Sequence, residues 1–226
     1  MTTPHAQARV DGRTERSRRT HAAIVSAYMA LVREGDPKPT APVIAQRAGV
    51  SVRSLWQHFP DMEAVYAATA ETVFDQVGGF GPRIDTDLPL GARIRIFVDR
   101  RLTHLEAIDP FARASERREA DSPALRRNHA RHVSREAAHI ADTFAPELAG
   151  LPTATHDDVL TALTATTAWR CWTTMREQLG LDRDRIASVL ELTVAALLAS
   201  VAPASPDQVE PSRAPDVGGK DGAATA

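Results

Sequence analysis

The stretch from Thr40 to Phe59, TAPVIAQRAGVSVRSLWQHF, leaves few folds open to the chain that contains it. Two short apolar-periodic segments flank Ala48-Gly49-Val50-Ser51. Thr40 is placed to cap the first, its hydroxyl accepting a free backbone N–H, and Pro42 falls in the first turn, where a missing N–H costs nothing. Val43, Ile44 and Ala48 supply one narrow buried face. Gly49 follows where the chain must take a left-handed conformation that glycine adopts without penalty. Ser51 caps a second helix, in which Leu55 and Phe59 point inward while Arg53, Ser54, Trp56, Gln57 and His58 form the other side. Two short helices joined by a tight glycine turn make a helix-turn-helix, whose second helix fits the DNA major groove.

The run resembles the N-terminal DNA-binding domain of TetR-family (tetracycline-repressor-like) transcriptional regulators. That pattern reads roughly T-x3-IA-x2-AGVS-x3-LY-x-HF, then a Lys-Glu pair and an apolar residue. The chain has Thr40, Ile44-Ala45, Ala48-Gly49-Val50-Ser51, Leu55-Trp56, His58-Phe59 and Glu63. With the preceding helix the match covers about residues 16–70. It departs at Trp56 for the common Tyr, Met62 for the common Lys, and Arg53 where a small residue is usual. The resemblance implies an all-helical protein: a three-helix DNA-binding head on a helical body that binds a small-molecule effector and dimerises.

The remaining pattern agrees with that architecture. Residues 1–15 are polar, contain Pro4 and Gly12, and read as a disordered basic arm. Ile24, Tyr28 and Leu31, widened by Val25 and Val32, predict an amphipathic helix over 17–33 that belongs with the head, 16–62. Asp61 caps a linking helix, 61–77, with Val65, Thr69, Thr72 and Val73 facing a core, and Gly78-Gly79-Phe80-Gly81-Pro82 reads as a flexible linker. The body, 78–201, reads as helices over about 90–108, 109–118, 123–144, 155–179 and 183–201, about nine in the whole chain. Residues 202–226 read as a disordered tail. The last two body helices are apolar on more than one face. One side packs on the body, and the other suits a second copy of the chain in a four-helix bundle.

Charge separates the two parts. Residues 1–60 carry nine basic and four acidic side chains, a net of +5, so the rest carries –7 of the overall –2. A basic end on an acidic body directs only the first part towards a polyanion. No run approaches the roughly 20 apolar residues of a membrane span, and a lone Cys171 fits a reducing cytoplasm.

Arg53 and Gln57, with Ser51 and Ser54 beside them, are the candidate base readers, since Arg pairs with guanine and Gln with adenine in the major groove. Trp56 and His58 suit phosphate contacts, as the resemblance also implies for those positions. Thr40 can add a hydroxyl contact at its helix N-terminus, and Arg18 and Arg19, with Arg16, can add backbone contacts from the arm. Met62 removes a cation that the family often sets against phosphate. In the body, Phe97, His104, Phe111, His132, Trp169, Trp172 and Met175 are the candidates for lining an effector cavity. His129, His132 and Glu136 share one helical face, but Arg131 and Arg135 among them favour an ion-paired surface over a metal site. No nucleophile elbow, phosphate-cradling glycine loop or zinc-type cysteine cluster occurs, so neither an enzyme nor a resident cofactor is expected. The expected function is a ligand-responsive repressor acting on a palindromic operator as a homodimer. An activator and a helical interaction module without a DNA role are the alternatives.

Overall fold

The computed structural model describes residues 4–76 and 79–202, with side chains from residue 14 onward except at position 117. The expected tail therefore lies, from residue 203, outside the described residues. Ten α-helices occur among the described residues: α1 Pro4–Arg33, α2 Ala41–Ala48, α3 Val52–His58, α4 Met62–Gln76, α5 Leu90–Glu119, α6 Pro123–Thr143, α7 Ala145–Leu148, α8 Thr153–Thr166, α9 Trp169–Thr173 and α10 Arg183–Ala199. No strand occurs among the described residues, and none of their helices is long and apolar enough to cross a membrane.

Three sequence-based expectations change. The arm is helical from Pro4, so α1 is continuous through residues 1–15 as far as they are described. Pro4 sits at the helix start, where proline is tolerated, and the single Gly12 costs only about 1 kcal/mol against good helix formers on either side. The break expected at Asp109-Pro110 is absent: α5 passes through Pro110. Losing one ladder hydrogen bond there is offset by Phe111 and Ala114, both buried in the head core just beyond it. The helix expected over 155–179 is divided instead. The hydroxyls of Thr164, Thr166 and Thr167 each bond back to the carbonyl four residues earlier, which weakens the helical ladder. Ala168 is extended, and the chain restarts as α9 and then a π-helical turn over Thr174–Gln178.

Two apolar cores result. The head core gathers Ile24, Val25, Tyr28, Met29 and Val32 of α1, Ile44 and Ala45 of α2, Leu55, Phe59, and Val65 and Val73 of α4. The body core gathers Phe97, Leu102, Ile140, Phe144, Leu163, Trp172, Met175, Ile186, Leu190, Val194 and Leu198. On α10 the buried stripe Ile186, Leu190 and Val194 continues to Leu198, and Leu197 beside it is half-buried. Ile108 packs against both cores, and Phe111 and Ala114 carry α5 into the head. A fully buried Leu or Phe contributes roughly 1.5–3 kcal/mol, so this shared segment fixes the head on the body by packing.

Candidate nucleic-acid interface and the cavity behind it

The reading pair forms largely through its caps. Gly49 takes φ +69°, and its N–H and that of Val50 close onto the carbonyls of Gln46 and Ala45. A side chain there would be strained whatever space surrounds it. Ser51 Oγ accepts from the Ser54 N–H at 3.0 Å, which starts α3. Thr40 occupies the cap position of α2, but its hydroxyl makes no capping bond and stays exposed. The helix is begun by the Thr40 carbonyl and by Pro42 instead. Val43, expected inside, is 40% exposed; the buried residues of α2 are Ile44 and Ala45, with Ala41 and Ala48 packed beside them.

On α3, Leu55 is fully buried and Phe59 packs at 4.4 Å against the His21 ring of α1. That anchoring turns Arg53, Trp56 and Gln57 outward to solvent, with Ser54 and His58 half-buried at the edges. Trp56 is 41% exposed, an unusual state for so large an apolar ring with no packing partner to explain it. Arg18 and Arg19 are exposed on α1, and Arg19 pairs with Glu15 at 3.0 Å. Met62 is half-buried against the head core, so the position that lacks a cation is used for packing. Arg47 is held by Glu34, a contact between α2 and the end of α1 that fixes the pair from behind.

Behind the head lies a cavity of about 270 Å³, walled by α1, α4, α5, α6 and the Ala168–Arg170 corner. His104, Phe111, His132 and Trp169 line it; Phe97, Trp172 and Met175 are buried in the body core and are absent from its wall. The broken helix explains Trp169. Ala168 turns the chain so that the indole N–H donates to Asp109 Oδ1 at 2.9 Å, at the cavity edge. The Thr167 carbonyl, freed from the ladder, accepts from Arg101 Nε at 2.8 Å.

Several wall residues were not among the cavity candidates drawn from the sequence: Tyr66, Phe74, Arg101 and Asn128, together with Tyr28 and Thr69, expected only as core, and Glu136, expected on the face with His129 and His132. For Arg101 a signal existed. It stands four residues after Phe97 and four before Leu105, inside a buried stripe where a solvated arginine cannot sit. It is 3% exposed and ion-paired with Glu136, itself 3% exposed and bonded by Thr167 Oγ1 at 3.2 Å. Burial pushes the Glu136 carboxyl upward, and Arg101 only partly opposes this.

His104 and His132 stack at 5.3 Å with 7° between their planes, and Phe74 and Phe80 close around them. Burial, reinforced by the Arg101 charge, lowers His104 to about 4 and His132 to about 3, so both rings are neutral near pH 7. Phe80 comes from the segment expected to be only a linker. It also stacks on His139 at 5.1 Å, so the segment seals one side of the histidine cluster. Of the shared-face set, His129 bonds Glu119 at 3.2 Å, His132 stacks on His104, and Glu136 holds Arg101, so the three take different partners. No group of side chains suited to a metal ion occurs among the described residues.

No protein-family model matches the chain, and comparison with curated proteins gives no match. Solved structures do resemble it. A TetR-family transcriptional regulator from Streptomyces coelicolor superposes with a TM-score of 0.65 at 16% identity, over 83% of this chain and 86% of that one. A TetR-family regulator from Mesorhizobium loti gives 0.59 at 19% identity, over 82% and 98%. The flavonoid-responsive regulator FrrA gives 0.58 at 18% identity, over 80% and 96%. The chain thus has the TetR-like regulator fold, the one its helix-turn-helix run resembles.

Proposed function

We propose that the chain is a DNA-binding transcriptional regulator, a ligand-responsive repressor that sits on a palindromic operator as a homodimer. The observation that carries this reading is the outer face of α3, where Arg53, Trp56 and Gln57 stand in solvent on a helix whose other side is locked by Leu55 and Phe59. Arg53 and Gln57 are base readers, helped by Ser51 and Ser54 at the helix start; Trp56, His58 and the free Thr40 hydroxyl hold phosphates, and Arg18 and Arg19 add backbone charge. Two such helices, about 34–36 Å apart in a symmetric dimer, read successive major grooves.

Dimerisation uses α8 and α10. Leu192 is 72% exposed on α10, with Val189 and Leu197 half-buried nearby, and a second copy of the pair covers them. The cavity takes the effector, which releases DNA by binding better to a dimer whose heads no longer match the operator. Such a protein works in the cytoplasm. The test is a footprint of the purified protein on its own upstream intergenic palindrome, at low and high salt. Protection centred on the palindrome is expected, and its absence at low salt sinks the reading in favour of a helical interaction module.

A further inference from the structure

The cavity wall records what kind of molecule it takes. Among the described residues, five side chains bury a polar atom that has no hydrogen-bond partner, and four of them line this one cavity: Thr69, Arg101, His104 and Asn128. Leaving such a group dry and unpaired costs about 1–3 kcal/mol, so four together mark a site completed by something else. Their chemistry is mostly that of donors. Arg101 offers Nη1, which can only donate. Asn128 Oδ1 is already taken by Arg131, which leaves Nδ2, again a donor. Thr69 contributes its hydroxyl, whereas the neutral His104 ring has its one N–H to turn towards the Gly79 carbonyl, short of a well-formed bond, which leaves the other nitrogen as an acceptor. The ligand must therefore bring acceptors.

Charge narrows the class further. Each arginine on the wall is neutralised by a carboxylate on the same wall: Arg101 by Glu136, Arg135 by Glu71 and Arg170 by Glu116. His129 likewise faces Glu119. A carboxylate ligand would enter without a free cation to meet it, and an ammonium would find each wall carboxylate, Glu71, Glu116, Glu119 and Glu136, already paired; either would lose hydration without full return. Beside aliphatic residues such as Val73, Ile108 and Val133, the wall presents flat rings, among them the stacked His104–His132 pair, Phe74 and Trp169, which suit a planar π-face. A volume of about 270 Å³ sits at the lower edge of small-ligand pockets.

We propose that the cavity binds an uncharged, planar aromatic molecule whose carbonyl-type oxygens accept from Arg101, Asn128 and Thr69. This deepens the regulator reading and rests on it only in calling that molecule the effector.

The test is a matched series of probes titrated by calorimetry into the full-length protein at pH 7.5: 9-fluorenone, fluorene and 9-fluorenone-4-carboxylate. The three share a ring frame and differ in the acceptor and the charge. Saturable binding of fluorenone is expected, with fluorene and the carboxylate each weaker by about tenfold or more, equivalent to about 1.4 kcal/mol. Asn128→Leu and Thr69→Val should each bring the fluorenone-to-fluorene ratio towards one. Fluorene binding as tightly as fluorenone in the unaltered protein overturns the acceptor argument. Tighter binding of the carboxylate overturns the charge argument, and no binding of any probe overturns the site. Operator binding without probe is measured separately. A protein that binds DNA but no probe loses the site proposed here and keeps the regulator reading, and one that binds fluorenone but no DNA loses the regulator reading alone.

Discussion

The carboxylate of Glu63, in the first turn of α4, accepts from Ser122 Oγ at 2.7 Å and from the Ala124 N–H at 2.9 Å, at the start of α6. Ser122 Oγ in turn accepts from the Leu125 N–H at 3.1 Å. Pro123 has no N–H to satisfy, so this acid and this serine together meet the early donors of α6. The carboxylate also complements the positive end of the helix dipole. One end of a cavity wall is therefore capped from the element that leaves the reading head.

Glu63→Ala should accordingly do two things. It should cost about 1–3 kcal/mol of stability in chemical denaturation, because a charged cap is lost and half-buried donors are left open. It should also weaken effector-driven release of DNA, while effector affinity for the DNA-free protein changes by less than about threefold, equivalent to about 0.65 kcal/mol. Unchanged release in a variant that shows the stability loss would make this contact a cap and nothing more.

Arg53 and Arg18 separate the two kinds of DNA contact. Arg53→Ala should lower the preference for the operator over random duplex by about 1–3 kcal/mol, the contribution of a good bidentate base pair contact. Arg18→Ala should weaken both DNAs about equally and reduce the salt dependence by about one ion. Anisotropy titrations across a salt series read both quantities, and equal losses of preference from the two variants would refute the division of roles.

The head was legible in the sequence because its determinants are local. Gly49, Ser51, Asp61 and the Ile44–Leu55 spacing each act within one or two turns, and Gly49, Ser51 and Asp61 carry those local roles in the structure. Thr40 and Val43 were read less well, since burial of a side chain depends on which face α1 covers. The cavity was legible only in part, because its wall is assembled by long-range pairings that no local pattern encodes. Arg101 meets Thr167 across 66 residues, and Phe80 reaches three histidines from a glycine-rich segment whose composition resembles a spacer. The division of the 153–178 region depended on threonine hydroxyls turning back on their own helix, at positions where threonine also occurs in unbroken helices.

Leu192→Glu tests the dimer. At 72% exposure the substitution meets only solvent in a single chain, so the fold should keep its melting temperature at low concentration. In a symmetric bundle it buries two like charges and removes two leucines, which should weaken association by about 2 kcal/mol or more. Sedimentation equilibrium should then show monomer where the unaltered protein is dimeric. Operator affinity should fall with it, since one head offers only half the contacts. Dimer retained at the original strength would move the interface elsewhere.

The neutral histidine pair should make the fold acid-sensitive. His104 and His132 have folded values of about 4 and about 3, below the ordinary 6.5, so unfolding releases them to take up protons. Above pH 6.5 both states leave the rings neutral, and the stability is fully present. As pH falls below 6.5 the unfolded chain binds more protons, and each ring removes up to about 1.4 kcal/mol per pH unit until its folded value is reached. The charged groups facing the pair act in the same sense: Arg101 beside both rings, His139 near His104, and His129 and Arg135 near His132; the Gly79 carbonyl, which favours the protonated His104, opposes them in part. Glu136, raised by burial, works the other way, gaining its proton in the fold before the unfolded chain does. Denaturation at pH 7.5, 6.5 and 5.5 reads the net effect, and His132→Phe isolates the histidine share of it. Stability should fall over the last interval, and His132→Phe, which keeps an aromatic ring against His104 and Phe74, should fall less steeply. A flat profile in the unaltered protein would show that the rings are solvated, and the cavity would then be an open, wet cleft.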